Sequence, residues 1–496
     1  MPQLLQAGGL NTAALQVPDL YVQIAQPETL LVAGLASGRL GIVGTASWGP
    51  VNRPVIVGNV SACREAFGGK RACASNLTLA VDIAVHQGAN AFCLVRVTDG
   101  SDRAAAGMLG GIRISAALTG QAGNGIRINL VRQSYRDGLF VLTVAHEDLG
   151  STAYSGADWS ALATAVAADA QALIRIDQPP ESVDIEAGSL ELAGGTDGEA
   201  PSAYAFLGDG GARTGMYALS GQGCSIATLA GVTEPAIMPR QLAFGEAEGV
   251  YMIASGPRDE TLEQAVQSKA TLGLWSHAFK YMFGDWLWWN DDVLGLQLAS
   301  PALFAAGKLA ALSPEQSGLN KPLGGIIGSQ RNGLDRTRFG YAAAELGVLI
   351  ENGIDVICNP SPGGQYWSLR SGHNSALKAG IQSDAYTRLT HYLARSLAGT
   401  MGQYVGAVIN DTLFGNIRAS LLGFLSELLS QGILGVTGGR LPYAVICDAG
   451  NNPQERIATG YVRADVQVQY QGINEKFIIN LQGGASVSVS TASGSV

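Results

Sequence analysis

The feature that most limits how this chain can fold is an α/β rhythm that starts, breaks off and starts again. Residues 38–58, GRLGIVGTASWGPVNRPVIVG, read as strand, glycine-proline loop and strand. A helix is predicted over 76–88 (NLTLAVDIAVHQG), and the strand AFCLVRV (91–97) comes at once after it. That succession implies parallel pairing in an α/β fold. Near Asp99 the texture changes. GIRISAAL, NGIRINLVRQ and LFVLTVAHE alternate apolar and polar residues, with one Ala-rich helix at 158–174, as in a β-rich insertion spanning 111–195. The α/β rhythm resumes after Gly198. It carries a long helix from about Glu260 to Phe283, the strand WLWWN (286–290), and a helix then a buried strand over 345–358. Two further helices fit Asn374–Met401 and Asn416–Gln431. In the second, Leu421, Leu422, Leu425, Leu428 and Leu429 form one apolar stripe that stops at Gly432. The strands YAVIC (443–447) and YVRADVQVQY (461–470) come last before the C-terminal segment.

Charge separates the same blocks. Between Asp99 and Ala200 there are fourteen Asp/Glu against six Arg, a net of −8, whereas the whole chain of 496 residues carries −9. The insertion therefore reads as an acidic, solvated outer module. From Ser361 to Arg418 the balance is +3, with Arg370, Lys378, Arg388, Arg395 and Arg418 against Asp384 and Asp411. That block either faces an acidic partner surface or is ordinary decoration of a solvated helix. Only 14% of residues are charged, against roughly 25% in ordinary soluble chains. Such a shortage predicts that much surface is buried against something, because monomers need a charged exterior. The net charge argues against a nucleic-acid partner. No apolar run reaches the roughly 18 residues of a membrane span, and MPQLLQAGG lacks the pattern of a signal peptide.

Both ends read as strands without an obvious partner nearby. VPDLYVQI (17–24) comes after a polar leader, and EKFIINL (475–481) runs through Gly483 and Gly484 into the alternation ASVSVS (485–490). Terminal strands fray unless tied down, and unpaired edges invite another chain. Either the ends close sheets within their own subunit, or they are exchanged between subunits by strand addition. In the exchange reading the participating residues are Leu20, Tyr21, Val22, Ile24, Val466, Val468, Phe477, Ile479, Val487 and Val489. EKFIINL belongs to the subunit's own sheet, Gly483 and Gly484 are the hinge, and the residues from Ala485 onward cross to a neighbour.

Catalytic chemistry is not legible. There is no phosphate-binding Gly-x-x-x-x-Gly-Lys-Ser/Thr, no Gly-x-Ser-x-Gly elbow and no His-Glu-x-x-His. The stretch Gly208–Gly215 has phosphate-loop texture without the lysine. His86, His146, His277, His373 and His391 have no Cys or carboxylate at metal-ligand spacing. Trp286, Trp288 and Trp289 read as core or interface packing. The six cysteines form no Cys-x-x-Cys pair. Cys93, Cys358 and Cys447 lie in apolar strands and are predicted to be buried free thiols. Cys63 and Cys73 flank FGGKR in a polar stretch and are predicted to be more exposed. A crosslink between chains through Cys63, Cys73 or Cys224 is a minor alternative that needs an oxidising setting. The predicted cofactor count is none, and the chain is not read as an enzyme.

Several strings in order resemble contractile tail sheath proteins of myophages and related contractile injection systems, closest to the Mu-like subgroup. GIVGTASWGPVNRPVIVGNVSACREAFGG (41–69) resembles the family's opening strand–loop–strand–helix motif. LAGGTDG (192–198) resembles the string that closes the insertion, and GQAGNGIRI (120–128) is similar to a turn inside it. SPALFAAGKLAALSPEQSGLNKPLGGI (300–326) and ICDAGNN (446–452) are similar to further family segments. The resemblance implies an α/β and α+β multidomain chain. An N-terminal arm covers 1–24, a sheath core 25–98 and 196–360, an acidic β-rich outer insertion 99–195, an inner tube-facing α+β domain 361–482, and a C-terminal arm 483–496. It also implies a mechanical function. Subunits form a helical homo-polymer of rings around an inner tail tube, with baseplate and tail terminator proteins as further partners and no direct membrane insertion. The place implied is the virion tail, assembled in the host cytoplasm. Arg370, Lys378, Arg388 and Arg395 become candidate tube-facing residues. The competing readings are another virion component (tube, capsid or fibre) and an α/β hydrolase or dehydrogenase.

Overall fold

The structure, a computed structural model, describes residues 3–6, 21–24, 38–133, 138–177, 184–334, 340–436 and 438–478. Two short strands open the chain, β1 (Gln3–Gln6) and β2 (Tyr21–Ile24). They pair in parallel, Gln3 opposite Tyr21 and Gln6 opposite Ile24. The core begins with β3 (Leu40–Gly44), β4 (Pro54–Val57), α1 (Val60–Phe67), α2 (Leu77–His86) and β5 (Phe92–Arg96). β3 and β5 are buried at every position, as parallel strands covered on both faces must be. The Asn76 side chain caps α2 by accepting from the Leu79 N–H.

The insertion holds β6 (Ala106–Leu109), β7 (Ile112–Ala116), β8 (Arg127–Arg132), β9 (Phe140–His146), β10 (Gly150–Gly156), α3 (Trp159–Ala168), β11 (Ile174–Ile176) and β12 (Gly188–Glu191). Two antiparallel sheets form, in the orders β10-β9-β8-β12 and β11-β7-β6. Their alternating apolar positions, among them Ile114, Ile128, Leu130, Leu142 and Val144, share one core with Trp159, Leu162 and Val166 of α3. The helix predicted over 158–174 ends at Ala168, because Ile174–Ile176 pairs with β7 instead.

After α4 (Ala203–Leu207) the chain returns to the first sheet through β13 (Ile226–Leu229), α5 (Met238–Glu248), β14 (Tyr251–Ser255), α6 (Leu262–Leu272) and β15 (Phe279–Met282). Next is a side sheet of β16 (Leu287–Asp291), β17 (Gly295–Ala299) and, after α7 (Pro301–Ala311), β18 (Ile326–Ser329). Then come α8 (Ala343–Glu351), β19 (Ile354–Asp355), β20 (Ile357–Cys358) and β21 (Ser368–Leu369). The seven-stranded core sheet runs β19-β15-β14-β13-β3-β5-β4, parallel throughout except for β4. α1, α2 and α7 cover one face, and α4, α5, α6 and α8 the other. Gly307 lets α7 lie against α2, since a Cβ there would stand 2.7 Å from the Ala84 Cα.

The helix predicted from Glu260 to Phe283 is a correction. α6 stops at Gly273, which adopts φ 65°, and Phe279–Met282 is a fully buried strand between β14 and β19. A short apolar run does not distinguish a buried strand from a buried helix. The helix predicted from Asn374 also starts later, at Asp384. The Asn374 amide donates to the Ile381 carbonyl and to Thr387 Oγ1, which holds 374–383 as a loop.

Strings singled out in the sequence converge where the insertion joins the core. Arg96, at the end of β5 and wholly buried, donates through Nη1 to the carbonyls of Gly49 and Thr119, both at 2.8 Å. In GQAGNG, the Ala122 N–H donates to the Ser47 carbonyl at 3.0 Å. Asn124 exchanges two hydrogen bonds with Gly195 of LAGGTDG, at 2.9 and 2.7 Å, and Asp197 Oδ1 accepts from the Gln121 N–H. Gly120 has φ 128°, and a Cβ there would stand 2.1 Å from the Ser47 carbonyl oxygen. Gly120→Ala is therefore expected to cost about 3 kcal/mol or more, from strain and overlap together. Calorimetric unfolding checks this, and a loss below about 0.5 kcal/mol, the range of neutral surface changes, would contradict the packing described.

Candidate functional site

The C-terminal module is built on α9 (Asp384–Met401) and α10 (Asp411–Ser430), followed by β22 (Tyr443–Ile446), α11 (Gln454–Ala458) and β23 (Asp465–Val468). α10 starts where Asn410 accepts from the Leu413 N–H. Its stripe of Leu413, Phe414, Ile417, Leu421, Phe424, Leu425 and Leu428 packs on Leu389, Tyr392 and Leu393 of α9 and on Val445 of β22. β22 and β23 pair antiparallel, Tyr443 opposite Val468 and Ile446 opposite Asp465. Asn451 and Asn452 staple the connection between them. Asn451 Nδ2 donates to the Ile446 and Arg463 carbonyls, and buried Asn452 donates to the Arg463 carbonyl while accepting from its N–H at 2.6 Å.

This sheet has two strands, and among the described residues neither outer edge has a strand partner. EKFIINL was predicted to join it. Its described part, 475–478, forms no strand. Instead the chain leaves β23 along α9. Tyr470 packs on Tyr386 and shares a hydrogen bond with Thr390, and Glu475 meets His373 Nε2 at 3.0 Å. Phe477 and Ile478 end the described chain 78% and 79% exposed, and Val405 in the α9–α10 loop is 85% exposed.

The seam between module and core is held by long cations donating to backbone carbonyls. Arg388 of α9 is buried and donates to Leu309, Leu312 and Gln316, at 2.7, 2.5 and 3.0 Å. Arg395 donates to the Cys224 carbonyl at 2.6 Å. From the core, Lys269 donates to Asn352 and Ser375, and Lys280 to His373. Lys280 also pairs with Asp355 at 2.6 Å and stands 3.6 Å from Asp384. Burial raises both carboxyls. For Asp355 the Lys280 ammonium and backbone N–H donors outweigh it and hold the group ionised. Asp384, with Asp355 as a like-charged neighbour, stays raised.

The predicted site residues are thus dispersed. Tyr21, Val22 and Ile24 lie on β2, and Val466 and Val468 on β23. Leu20, Ile479, Gly483, Gly484, Val487 and Val489 lie outside the described residues. Of the candidate tube-facing residues, Lys378 is exposed and Arg370 half-buried. Arg388 is a correction: it points into the core and is not available to a partner. Arg395 is half-buried and turned to the core loop before β13. Cys63 and Cys224 are corrections too, because both are buried, and only Cys73 of that trio is exposed. Cys63 shares the apolar face of α1 with Phe67, and burial pushes its thiol up to about 12. Cys93, Cys358 and Cys447 are buried free thiols as predicted. The Gly208–Gly215 loop closes on itself, with Asp209 Oδ1 accepting from the Ala212 N–H. Asp82, Asp291 and Asp292 lie close enough together to hold a cation, and the Lys70 ammonium fills that place at 2.8, 2.9 and 2.6 Å. No helix among the described residues is long and apolar enough to cross a membrane.

No family model and no curated protein matches the sequence. The fold does have solved counterparts. The sheath tail protein of Listeria innocua superposes with a TM-score of 0.62 at 15% identity, covering 83% of this chain and 89% of that one. The sheath tail protein of Desulfitobacterium hafniense gives 0.56 at 13% identity, covering 86% and 93%. The sheath complex of the extracellular contractile injection system PVC, in its contracted state, gives 0.56 at 13% identity, covering 95% and 98%. At these identities the likeness is one of fold, and that fold is mixed α/β and multidomain.

Two outcomes test this geometry. Burial lowers the Lys269 pKa from 10.5 to about 7. Between those values the unfolded chain holds more protons than the folded one, so Lys269 makes stability rise with pH across that window. Lys269→Met is expected to flatten the rise in a pH series of chemical denaturation, and an unchanged slope would contradict it. Asn452→Ala removes two amide donations and one acceptance at a buried position, at a cost of about 2–3 kcal/mol. Hydrogen exchange should then quicken in 461–468 while β3 and β5 keep their protection.

Proposed function

We propose that this chain is the structural subunit of a contractile tail sheath. It polymerises as stacked rings around an inner tail tube and shortens to drive that tube through a host envelope. One observation carries the reading: a fold shared over 83–95% of the chain with sheath tail proteins and a contracted sheath complex. The sparse surface charge supports it, since a polymer subunit has much of its exterior covered. So does the C-terminal sheet of two strands, which is short of the three or more that stable sheets need.

In this reading the extended sheath is metastable, held by a kinetic barrier, and repacked subunit interfaces supply the driving free energy without a nucleotide. Contacts that do not close on themselves generate the helical filament. Leu20–Ile24 of one subunit and Ala485–Ser490 of another add to β22 and β23 of a third, with Gly483 and Gly484 as hinge. Main-chain hydrogen bonds then keep the lattice connected while the bodies rotate. The acidic insertion is the outer domain. Exposed Lys378 and half-buried Arg370 are the remaining candidates for tube contact. Tube, baseplate and terminator proteins are the partners, in a virion tail or a tail-like injection particle, and within that class the sequence strings favour the Mu-like subgroup.

Negative-stain microscopy of the purified protein is expected to show striated hollow tubes. Deleting residues 1–24 or 484–496 should leave a folded body, by circular dichroism and melting, that no longer forms them. Discrete particles from the full chain would overturn the sheath reading, and normal tubes from either truncation would overturn the strand exchange alone.

A further inference from the structure

An amine and two carboxyls meet in the closed interior where the core sheet passes the chain on to the C-terminal module. Lys280 of β15, Asp355 of β19 and Asp384 of α9 all have side chains that are 0% exposed. The Lys280 Nζ stands 2.6 Å from Asp355 Oδ2 and 3.6 Å from Asp384 Oδ2. It also donates to the His373 carbonyl at 2.7 Å, which fixes the place of the amine. The other Asp355 oxygen lies in a nest of backbone donors. Oδ1 accepts from the Val356, Ser371 and Arg370 N–H groups at 2.8, 2.9 and 3.2 Å. Asp384 Oδ2 has no hydrogen-bond partner among the described residues. Burial raises this carboxyl, so it holds a proton more readily than a surface aspartate does. An ion pair alone gives no use to the bare oxygen of a second carboxyl beside the amine.

We infer that Lys280 and Asp355 join in an intrachain isopeptide bond, with Asp384 as the proton carrier. In a pair closed to solvent, passing a proton from Nζ to Asp355 Oδ2 exchanges two buried charges for two neutral groups. The neutral amine then attacks the Asp355 Cγ. Negative charge collects on Oδ1, where the three N–H groups stabilise it as an oxyanion hole does. Asp384, protonated, gives its proton to the Oδ2 hydroxyl and takes one back from the nitrogen. The Cγ–Oδ2 bond breaks, the Nζ–Cγ amide remains, and one water leaves. An ammonium and a carboxylate thus become an amide and water, with no oxidant or reductant in the balance.

The position gives the bond a role. β19 has two residues and lies at the edge of the core sheet, Ile354 opposite Tyr281 and Asp355 opposite Met282 of β15. Beyond Asp355 the chain goes on to α9 and the C-terminal module. So short a strand has few ladder hydrogen bonds to resist separation, and the amide holds it covalently to β15. Load on the C-terminal module would then reach the core through this bond rather than through the β15–β19 ladder alone. Lys280 and Asp355 are 75 positions apart, so the link also closes a long loop of the unfolded chain and lowers its entropy. The inference does not depend on the sheath reading.

The test is peptide mapping of the full chain by mass spectrometry, after purification, denaturation and digestion with trypsin. Trypsin is expected to spare the bond after Lys280. The peptide holding Lys280 should appear joined to the one holding Asp355, the pair lighter by one water. Lys280→Arg keeps a cation beside Asp355 without an attacking amine. It should show no such loss and melt at a lower temperature than the parent. Asp384→Asn keeps the shape without the transferable proton. A positioned acid contributes about 100-fold or more in rate, so this protein, folded by circular dichroism, should be recovered largely unlinked. Cleavage after Lys280 with both peptides at full mass overturns the inference. So does a link from Lys280 to Asp384, or the same loss of water in the Lys280→Arg protein. A fully linked Asp384→Asn protein overturns the role given to Asp384.

Discussion

The placement of the C-terminal module depends on buried basic side chains, most of whose partners at this seam are backbone carbonyls at helix ends and in loops. α7 ends at Ala311, and the carbonyls of Leu309 and Leu312, left over at that end, accept from Arg388. α8 ends at Glu351, and the Asn352 carbonyl at its C-cap accepts from Lys269. The last turn of a helix has no internal partners for its carbonyls and carries the negative end of the helix dipole. A cation brought there meets several acceptors and a favourable field at once. Lys269 has no carboxylate partner, and burial lowers its pKa to about 7, so its hydrogen bonds to the Asn352 and Ser375 carbonyls rather than its charge hold it in place. Arg388 thus ties α9 to the end of α7, and Lys269 ties the loop before α9, through the Ser375 carbonyl, to α6.

The α/β rhythm was the most legible part of the sequence. β3, α2 and β5 fall within the predicted spans, because a buried parallel strand is a continuous apolar run and Asn76 marks a helix start. The change of period near Asp99 was legible too: beyond it the chain forms antiparallel strands, and Arg103 bridges Thr196 and Ala106 bridges Ala193. LAGGTDG and GQAGNG stood out as strings, but only the structure reveals that Asn124 and Gly195 hold them together.

The features that were not legible share a cause: a sequence names the kind of group but not where it points. Arg388 counted toward a basic surface, yet its guanidinium runs inward to helix-end carbonyls. Cys63 sits among polar neighbours, yet it lies four residues before Phe67 and shares its buried face. Phe279–Met282 was merged with the helix before it, although Gly273 marks a stop and the aromatic-rich, fully buried strand differs from the mostly polar α6. Lys269 and Lys280 carry no pattern until the partner backbone is in place, and Asn451 and Asn452, although part of the string ICDAGNN, find their partner Arg463 only in the fold.

The C-terminal sheet is where these threads meet. Four-residue strands paired only with each other are marginal by themselves. Here they persist because Val445 packs against α10 and because Asn451 and Asn452 close the turn. The chain then spends its next residues along α9, past Tyr386 to His373, rather than adding a third strand. A segment that continued the sheet locally would fill the edge. One pinned at Glu475 leaves the edge without a strand partner among the described residues. Under the proposed sheath reading, that arrangement suits a sheet completed by a strand from another subunit.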